Sequence, residues 1–376
     1  MYGAIATAGS ALRLAAKLPL YRTFRRAGFP VLSPLAMSFV ITDRCNSRCL
    51  TCNIGARYLD DPSVADGELS LDEYRRLFPR IGRPGWVTFS GGEPLLRPDF
   101  AAIVSELARV VRPQVINIPT NATLVERTLA AVARILDGLG RSQLVVNLSL
   151  DGVGAVHDRL RGFPGNFERV VAVFRGLRAL GDPRLVVGVN SVLSRFNVQV
   201  SDALFDYVMD ELAPDSYVLE VAQTRAEYHN LGQDLRGERE QLVRALDGFV
   251  RRTRRVSRHG VPRLVQAFRE DYYAAARRGL RSPVTHRCYA GFATCTVLAH
   301  GEVWSNTARA ESMGNVRDFE LDFAALWRSP AARAVRERVV AAPCDCELSN
   351  ASYSNRLMDF GSLPRLLWRY LRARQV

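Results

Sequence analysis

Three cysteines crowded into one short loop, Cys45, Cys49 and Cys52, limit what this chain can become more than any other feature. They stand in Thr42-Asp43-Arg44-Cys45-Asn46-Ser47-Arg48-Cys49-Leu50-Thr51-Cys52, directly after the apolar stretch Ala36 to Ile41. The spacing is C-x3-C-x2-C, and the next cysteine is Cys288. Thiolates so close on one loop can hold three corners of a 4Fe–4S cube, since cysteine is the usual iron–sulfur ligand. The fourth iron is then open to a small molecule, which points to chemistry rather than to a closed structural cluster. A structural zinc site would want paired C-x2-C hooks and four protein ligands, and only Cys49 and Cys52 form such a hook. Seven cysteines, an odd number with three of them adjacent, do not read as a disulfide framework.

The 376 residues suffice for one large domain or two smaller ones. No run of about 18 apolar residues occurs, so no membrane-spanning helix is expected. Met1 to Phe29 lacks a basic n-region and is interrupted by Arg13 and Lys17, so it does not read as a secretory signal. Reduced thiols without such a signal imply a cytoplasmic protein. The net charge is +13, and Lys17 is the only lysine among 51 basic residues. That balance favours acidic partners: an anionic membrane surface, a phosphorylated substrate or an acidic peptide. Nucleic acid is not expected, because no basic patch interleaved with aromatics and no nucleic-acid motif is present.

From 36 to 222, short β-branched runs alternate with helix-length amphipathic segments. The strand candidates are Ala36–Ile41, Trp86–Phe89, Val115–Ile118, Leu144–Leu150, Leu185–Leu193 and Tyr217–Ala222. Apolar residues at three- and four-residue spacing predict helices over Ser70–Phe78, Asp99–Val111, Leu124–Leu139, Asn166–Leu180 and Val200–Leu212. Ser70 with Glu73 forms a capping-box signature, Asn166 is the expected N-cap of its helix, and Gly181 the stop. Such alternation predicts right-handed βαβ units on a parallel sheet, with ligands at the carboxyl ends of the strands. The expected fold is α/β: a partial or complete parallel β/α barrel with a small cysteine-containing C-terminal extension. The expected segments are a basic amphipathic region over 1–35, the barrel over 36–222, an arginine-rich helical connection over 223–283, the extension over 284–350, and a basic amphipathic helix over 351–376.

The second strand runs into Gly91-Gly92-Glu93-Pro94. Paired glycines at a strand end let backbone groups approach a ligand closely, and Glu93 adds a carboxylate able to accept from an amine. A G-G-E-P turn one strand after a C-x3-C-x2-C loop resembles the radical SAM superfamily, over roughly residues 36 to 222. The resemblance implies a 4Fe–4S cluster on Cys45, Cys49 and Cys52, with S-adenosylmethionine chelating the open iron. It implies that Gly91, Gly92 and Glu93 hold the methionyl amine, and that reductive cleavage gives a 5′-deoxyadenosyl radical that removes a substrate hydrogen. The protein's part is binding, orientation and exclusion of side reactions. Pro119-Thr120-Asn121-Ala122 resembles the family's T-N-G turn, with Ala122 in place of glycine, and Ser149-Leu150-Asp151-Gly152 its S-x-D-G strand end. In His157-Asp158-Arg159-Leu160-Arg161-Gly162, Arg159 or Arg161 would pair with the methionyl carboxylate, a contact that suits guanidinium geometry. Asn197 matches an asparagine near the adenine side. A flavodoxin- or ferredoxin-type reductant is the implied partner. Thr51 departs from the bulky residue common before the third cysteine.

Cys288, Cys295, Cys344 and Cys346 could be the full ligand set of a second 4Fe–4S cluster, or of tetrahedral zinc. Gly301-Glu302-Val303-Trp304-Ser305 and Met313-Gly314-Asn315-Val316 resemble the SPASM/twitch extension of radical SAM enzymes, with Asn306 where that subgroup has cysteine. This implies a degenerate one-cluster domain and favours a peptide or protein substrate. The residues before Ala36 are too few for a leader-peptide-binding module. Leu12 to Arg26 and Leu366 to Arg372 instead read as basic amphipathic helices, which can lie in a membrane interface or pack on the barrel. The competing substrate class is therefore a lipid-linked intermediate at the inner membrane face. A non-catalytic iron–sulfur electron carrier is the reading of another class, disfavoured by G-G-E-P and S-x-D-G.

Overall fold

A computed structural model describes residues 8–254, 261–282, 287–342 and 355–372. Each strand candidate folds as a strand: β1 (Ala36–Val40), β2 (Trp86–Ser90), β3 (Val115–Thr120), β4 (Gln143–Ser149), β5 (Leu185–Leu193) and β6 (Ser216–Val221). Three more, β7 (Thr294–Val297), β8 (Glu302–Trp304) and β9 (Ser312–Asn315), belong to the extension. All nine form one sheet in the order β6-β5-β4-β3-β2-β1-β7-β8-β9. The first six are parallel, β7 adds parallel to β1, and β8 and β9 follow antiparallel. Strands β6 and β9 are the edges, so the sheet is a partial barrel and not a closed one. The extension is no detached unit, since Met37 of β1 stands opposite Cys295 of β7.

The two faces of the sheet differ in kind, as side-chain alternation along strands requires. Met37, Phe39, Val87 and Phe89 point to the helix-covered outer face and join the large apolar core. There Phe39 stacks on Phe89 at 5.7 Å and meets Phe78 edge-on at 5.7 Å, while Phe89 meets Phe100 at 6.1 Å. The inner face carries a small separate cluster of Val115, Val145, Val186 and Trp86. Above it Asn147 donates to Asn117 Oδ1 at 2.7 Å, and Asn117 to Thr88 Oγ1 at 3.3 Å. Higher still, Ser90, Ser149, Asn190 and Glu220 are only half-buried, so the open mouth lies at the carboxyl ends of the strands.

Helix ends follow local chemistry. Ser70 and Glu73 close the expected capping box. Asn166, expected as an N-cap, is instead the first residue of its helix (Asn166–Ala179). Asp158 caps it from the preceding turn, accepting from Gly165 N at 2.7 Å and Phe167 N at 2.8 Å. A charged acceptor satisfying two orphan N–H groups leaves the Asn166 amide for the interior. The single helix expected over 200–212 divides into an α-helical turn (Ser201–Asp206) and a π-helical one (Tyr207–Leu212).

The N-terminal helix (Ala8–Ala27) buries Leu18, Tyr21 and Phe24, and Phe24 meets Phe292 edge-on at 5.0 Å. Phe24 thus packs on the extension. The tail helix (Leu363–Arg372) buries Leu366 and brings Arg369 to 3.7 Å from Glu270. No helix among the described residues is long and apolar enough to cross a membrane.

Phe39 is the centre of the outer aromatic group and fully buried. Phe39→Ala should lower the free energy of unfolding by about 3–5 kcal/mol in a denaturant titration. A loss below about 1 kcal/mol would show that the ring stack does not carry the sheet-to-helix packing.

Candidate cofactor site

The cysteine loop leaves β1 and is fixed before its first thiol. Thr42 donates through its hydroxyl, and Asp43 through its backbone N–H, to Glu68 Oε1, both at 2.8 Å. Arg97 lies buried behind Glu68, donating to Ile41 O at 2.9 Å and Leu69 O at 2.5 Å. The loop is then stitched to the glycine turn after β2: Gly92 N donates to Thr42 O at 2.8 Å, and Glu93 N to Arg44 O at 2.7 Å. Side chains at these glycines would collide with the cysteine loop itself. A Cβ at Gly91, where φ is +131°, would stand 2.3 Å from Thr42 O, and one at Gly92 2.1 Å from Arg44 O. Gly55 is equally tight, with Ser47 O 1.8 Å from the Cβ position.

Glu93 is buried, and its carboxylate accepts from Thr120 Oγ1 at 2.8 Å, Asn121 N at 2.7 Å and Leu95 N at 3.1 Å. Burial raises its pKa, and these three donors only partly offset that rise. A carboxylate has about four acceptor positions, so most of this one serves to clamp β2 to β3. Asn121 continues the clamp, donating to Asn46 Oδ1 at 2.9 Å and Ser47 Oγ at 3.0 Å in the cysteine loop.

Of the two candidate arginines, Arg159 is exposed and Arg161 turns inward. Arg161 Nε lies 3.0 Å from Asp151 Oδ2, with side chains 13 % and 7 % exposed, and Nη1 donates to Cys49 Sγ at 3.7 Å. Burial works against its charge, but Asp151 and Cys49 outweigh burial and raise its pKa. Asp151 Oδ1 also accepts from Val192 N at 2.7 Å. Asn197 donates to Asp151 O and Val192 O, both at 2.8 Å, and its oxygen accepts from Ser194 N at 2.8 Å. It therefore braces the ends of β4 and β5, its amide hydrogens already spent. His157 accepts from Asp151 N at Nδ1, so its proton sits on Nε2 and the Asn166 amide, 3.0 Å away, must offer its oxygen. Burial, then Arg161, lowers the His157 pKa to about 3. Ser149 is half-buried at the mouth beside Asn190, whose Oδ1 is buried without a hydrogen-bond partner.

Burial first, then Cys49, pushes the Cys52 thiol up to about 12, and burial raises Cys45 as well. Neutral thiols in a desolvated pocket become thiolates only against a metal's positive charge. The soft donor set and the glycine-walled cradle fit an iron–sulfur cube. Among the described residues no three potential ligands converge as they would on a single ion. A cube instead gives each thiolate its own iron, so the thiols need not meet.

Of the second cysteine group, Cys288 and Cys295 lie among the described residues. Cys295 lies in the apolar core opposite Met37, its pKa raised by burial and only partly lowered again by the charge of Arg336. Cys288 is buried beside Tyr289, its carbonyl accepting from Arg25 Nε at 2.8 Å. Cys344 and Cys346 lie outside the described residues. Asn306, which stands in place of a cysteine, is buried and accepts from Arg309 N at 2.8 Å.

Residues 39–198 match the model of the radical SAM superfamily. They form a radical SAM domain. The chain is 30% identical over 226 residues to Fe-coproporphyrin III synthase of Methanosarcina barkeri, covering 59% of this chain and 52% of that one. It is 34% identical over 196 residues to the PqqA peptide cyclase of Rhodopseudomonas palustris, covering 51% and 47%. The chain thus spans about half the length of these curated relatives. Its fold matches that of anSMEcpe with bound AdoMet, with a TM-score of 0.60 at 15% identity over 91% of this chain and 96% of that one.

Several contributors escape the sequence. Glu68 and Arg97 belong to no motif. The segment after β6 also walls the cluster loop: Asn230 Nδ2 donates to Thr51 O at 2.8 Å, and Asn53 N to Tyr228 O at 2.9 Å. A cluster of polar residues after β6 is the signal that could have pointed there.

Two outcomes test this geometry. Gly92→Ala should reconstitute with far less iron than the parent, because its Cβ must displace Arg44; parent-like iron would refute the close-approach argument. His157 is neutral when folded and titrates normally when unfolded, so its contribution is intact above about pH 6.5 and lost as pH falls toward 3. His157→Gln should flatten the acid limb of stability by up to about 1.4 kcal/mol per pH unit. An unchanged slope in denaturant titrations at stepped pH would contradict the neutral assignment.

Proposed function

We propose that the chain is a radical enzyme acting on a peptide or protein with S-adenosylmethionine as cosubstrate. The observation that carries this reading is the stitched pair of loops, with three cysteines on one side and the Gly91-Gly92 backbone on the other. When bound, the cluster and S-adenosylmethionine would supply a 5′-deoxyadenosyl radical that takes a hydrogen atom from substrate. Cys45, Cys49 and Cys52 would hold the cluster, and the backbone at Gly91 and Gly92 the methionyl amine. Arg161 would pair with the methionyl carboxylate and Ser149 would meet the cosubstrate, while Asn197 braces Asp151. A flavodoxin- or ferredoxin-type protein would supply the electron.

Similarity to PqqA peptide cyclase supports the peptide class. Similarity to Fe-coproporphyrin III synthase supports a second reading, a tetrapyrrole substrate. A lipid-linked substrate is a weaker reading, because Leu18, Tyr21 and Phe24 are spent on packing. A second cluster on Cys288, Cys344 and Cys346, with Cys295 as the candidate fourth ligand, is the finer part of the proposal.

The test is anaerobic reduction with S-adenosylmethionine. The parent should release 5′-deoxyadenosine, and the triple Cys45/Cys49/Cys52→Ala variant none. Release by that variant would remove the site, and no release by the loaded parent would favour an electron carrier. Reconstituted protein should hold about eight irons, two cubes of four each, whereas about four would remove the second cluster. A precursor peptide shifted in mass after turnover supports the peptide class; turnover with Fe-coproporphyrin III but no peptide would replace it.

A further inference from the structure

The contact between Arg161 and Cys49 has a role separate from cosubstrate binding. Arg161 Nη1 donates to Cys49 Sγ at 3.7 Å, and Cys49 Sγ in turn lies 3.7 Å from Arg161 O. The guanidinium is held there by more than the thiol. Its Nε lies 3.0 Å from Asp151 Oδ2. Asp151 is fixed by Val192 N at 2.7 Å, by Asn197 on its carbonyl and by His157 on its N–H. The helix carrying Arg161 (Ala155–Arg161) is pinned to the cysteine loop where Leu50 N donates to Leu160 O at 2.9 Å. It ends at Gly162, whose φ is +58° and where a Cβ would stand 2.3 Å from Arg48 O. A charge mounted on so many fixed points cannot relax away when the charge of its neighbour changes.

We infer that Arg161, oriented by Asp151, is a positioning residue that sets the reduction potential of the cluster held by Cys45, Cys49 and Cys52. This rests on the proposed cluster site. One-electron reduction of a 4Fe–4S cluster from the 2+ to the 1+ state adds negative charge to the irons and their thiolates. The electron comes from the external reductant, and no proton or bond need move. A fixed guanidinium donating to a ligand sulfur favours the more negative state, so it raises the potential; hydrogen bonds to the sulfurs are a recognised determinant of that potential. The cation acts in a site where burial limits screening by water. Asp151 tempers it: the carboxylate cancels part of the charge while fixing its direction. Because Arg161 is also the candidate partner of the methionyl carboxylate, that second carboxylate beside the fixed guanidinium would cancel more of the charge felt at Cys49. The S-x-D-G strand end would thus reach the cluster through one side chain.

The experiment is an EPR-monitored redox titration of anaerobically reconstituted full-length protein without S-adenosylmethionine. The triad's signal is the one that changes when the cosubstrate is added. Arg161→Gln should titrate at a lower potential than the parent, with Arg161→Lys between them. Asp151→Asn, which loosens the guanidinium, should also depart from the parent. Arg159→Gln, on the exposed side of the same helix, should match the parent. Parent-like potentials in Arg161→Gln at parent-like iron content would overturn the inference. If Arg161→Gln cannot hold the cluster, Arg161→Lys and Asp151→Asn decide, and parent-like potentials in both overturn it. Absence of any triad signal in the parent would instead sink the cluster site on which the inference rests.

Discussion

The structure depends on one close approach, the backbone of the glycine turn against the backbone of the cysteine loop. Two hydrogen bonds, Gly92 N to Thr42 O and Glu93 N to Arg44 O, prolong the β1–β2 pairing beyond both strands. Only residues without Cβ atoms permit it, since Arg44 O and Thr42 O occupy the volume that side chains at Gly92 and Gly91 would need. Once the loops are joined, Glu93 reaches β3 and Asn121 reaches back to the cysteine loop, so three strand ends form one rigid rim. The glycines that a reader of the sequence assigns to a ligand serve first to bring the ligand-bearing loop into place.

Electrostatics at this rim is arranged around burial. Two of the three thiols are desolvated and neutral until a metal arrives. The charges already present are an interlocked set: Arg161 with Asp151, and Glu68 with Arg97, whose Nη1 lies 3.8 Å from Glu68 Oε2. Removing one member of such a pair would strand the other in a low-dielectric setting, which costs more than the pair contributes. His157 avoids that cost by staying neutral between two neutral partners. The mouth thus keeps the Arg161 guanidinium facing Cys49, while Asn190 Oδ1 is left buried without a hydrogen-bond partner.

Much of this was readable from the residues. Strand positions followed from β-branched runs buried on both faces, and β5 (Leu185–Leu193) matches its expected limits. The three-cysteine loop and the glycine turn announced themselves by spacing. What stayed hidden needed geometry. Arg159 and Arg161 are about 200° apart on a helix of 3.6 residues per turn, so one alone could face the thiols, yet the sequence does not say which. Asp158 took the cap expected of Asn166 because a turn at Gly162 brings its carboxylate back over the next helix. That Cys295, a candidate ligand, lies in the apolar core beside β1 follows only from the pairing of β7 with β1. The N-terminal amphipathic helix found a protein surface, through Phe24 on Phe292, where its pattern allowed a lipid one.

The central claim is that the triad holds an iron–sulfur cube with one iron open to the cosubstrate. The most direct measurement is the EPR spectrum of reduced, fully iron-loaded protein before and after S-adenosylmethionine is added. The account predicts that the triad's g-values and line shape change on addition, and that the change is absent from the variant lacking Cys45, Cys49 and Cys52. An identical spectrum with and without the cosubstrate, at full iron content, would contradict it.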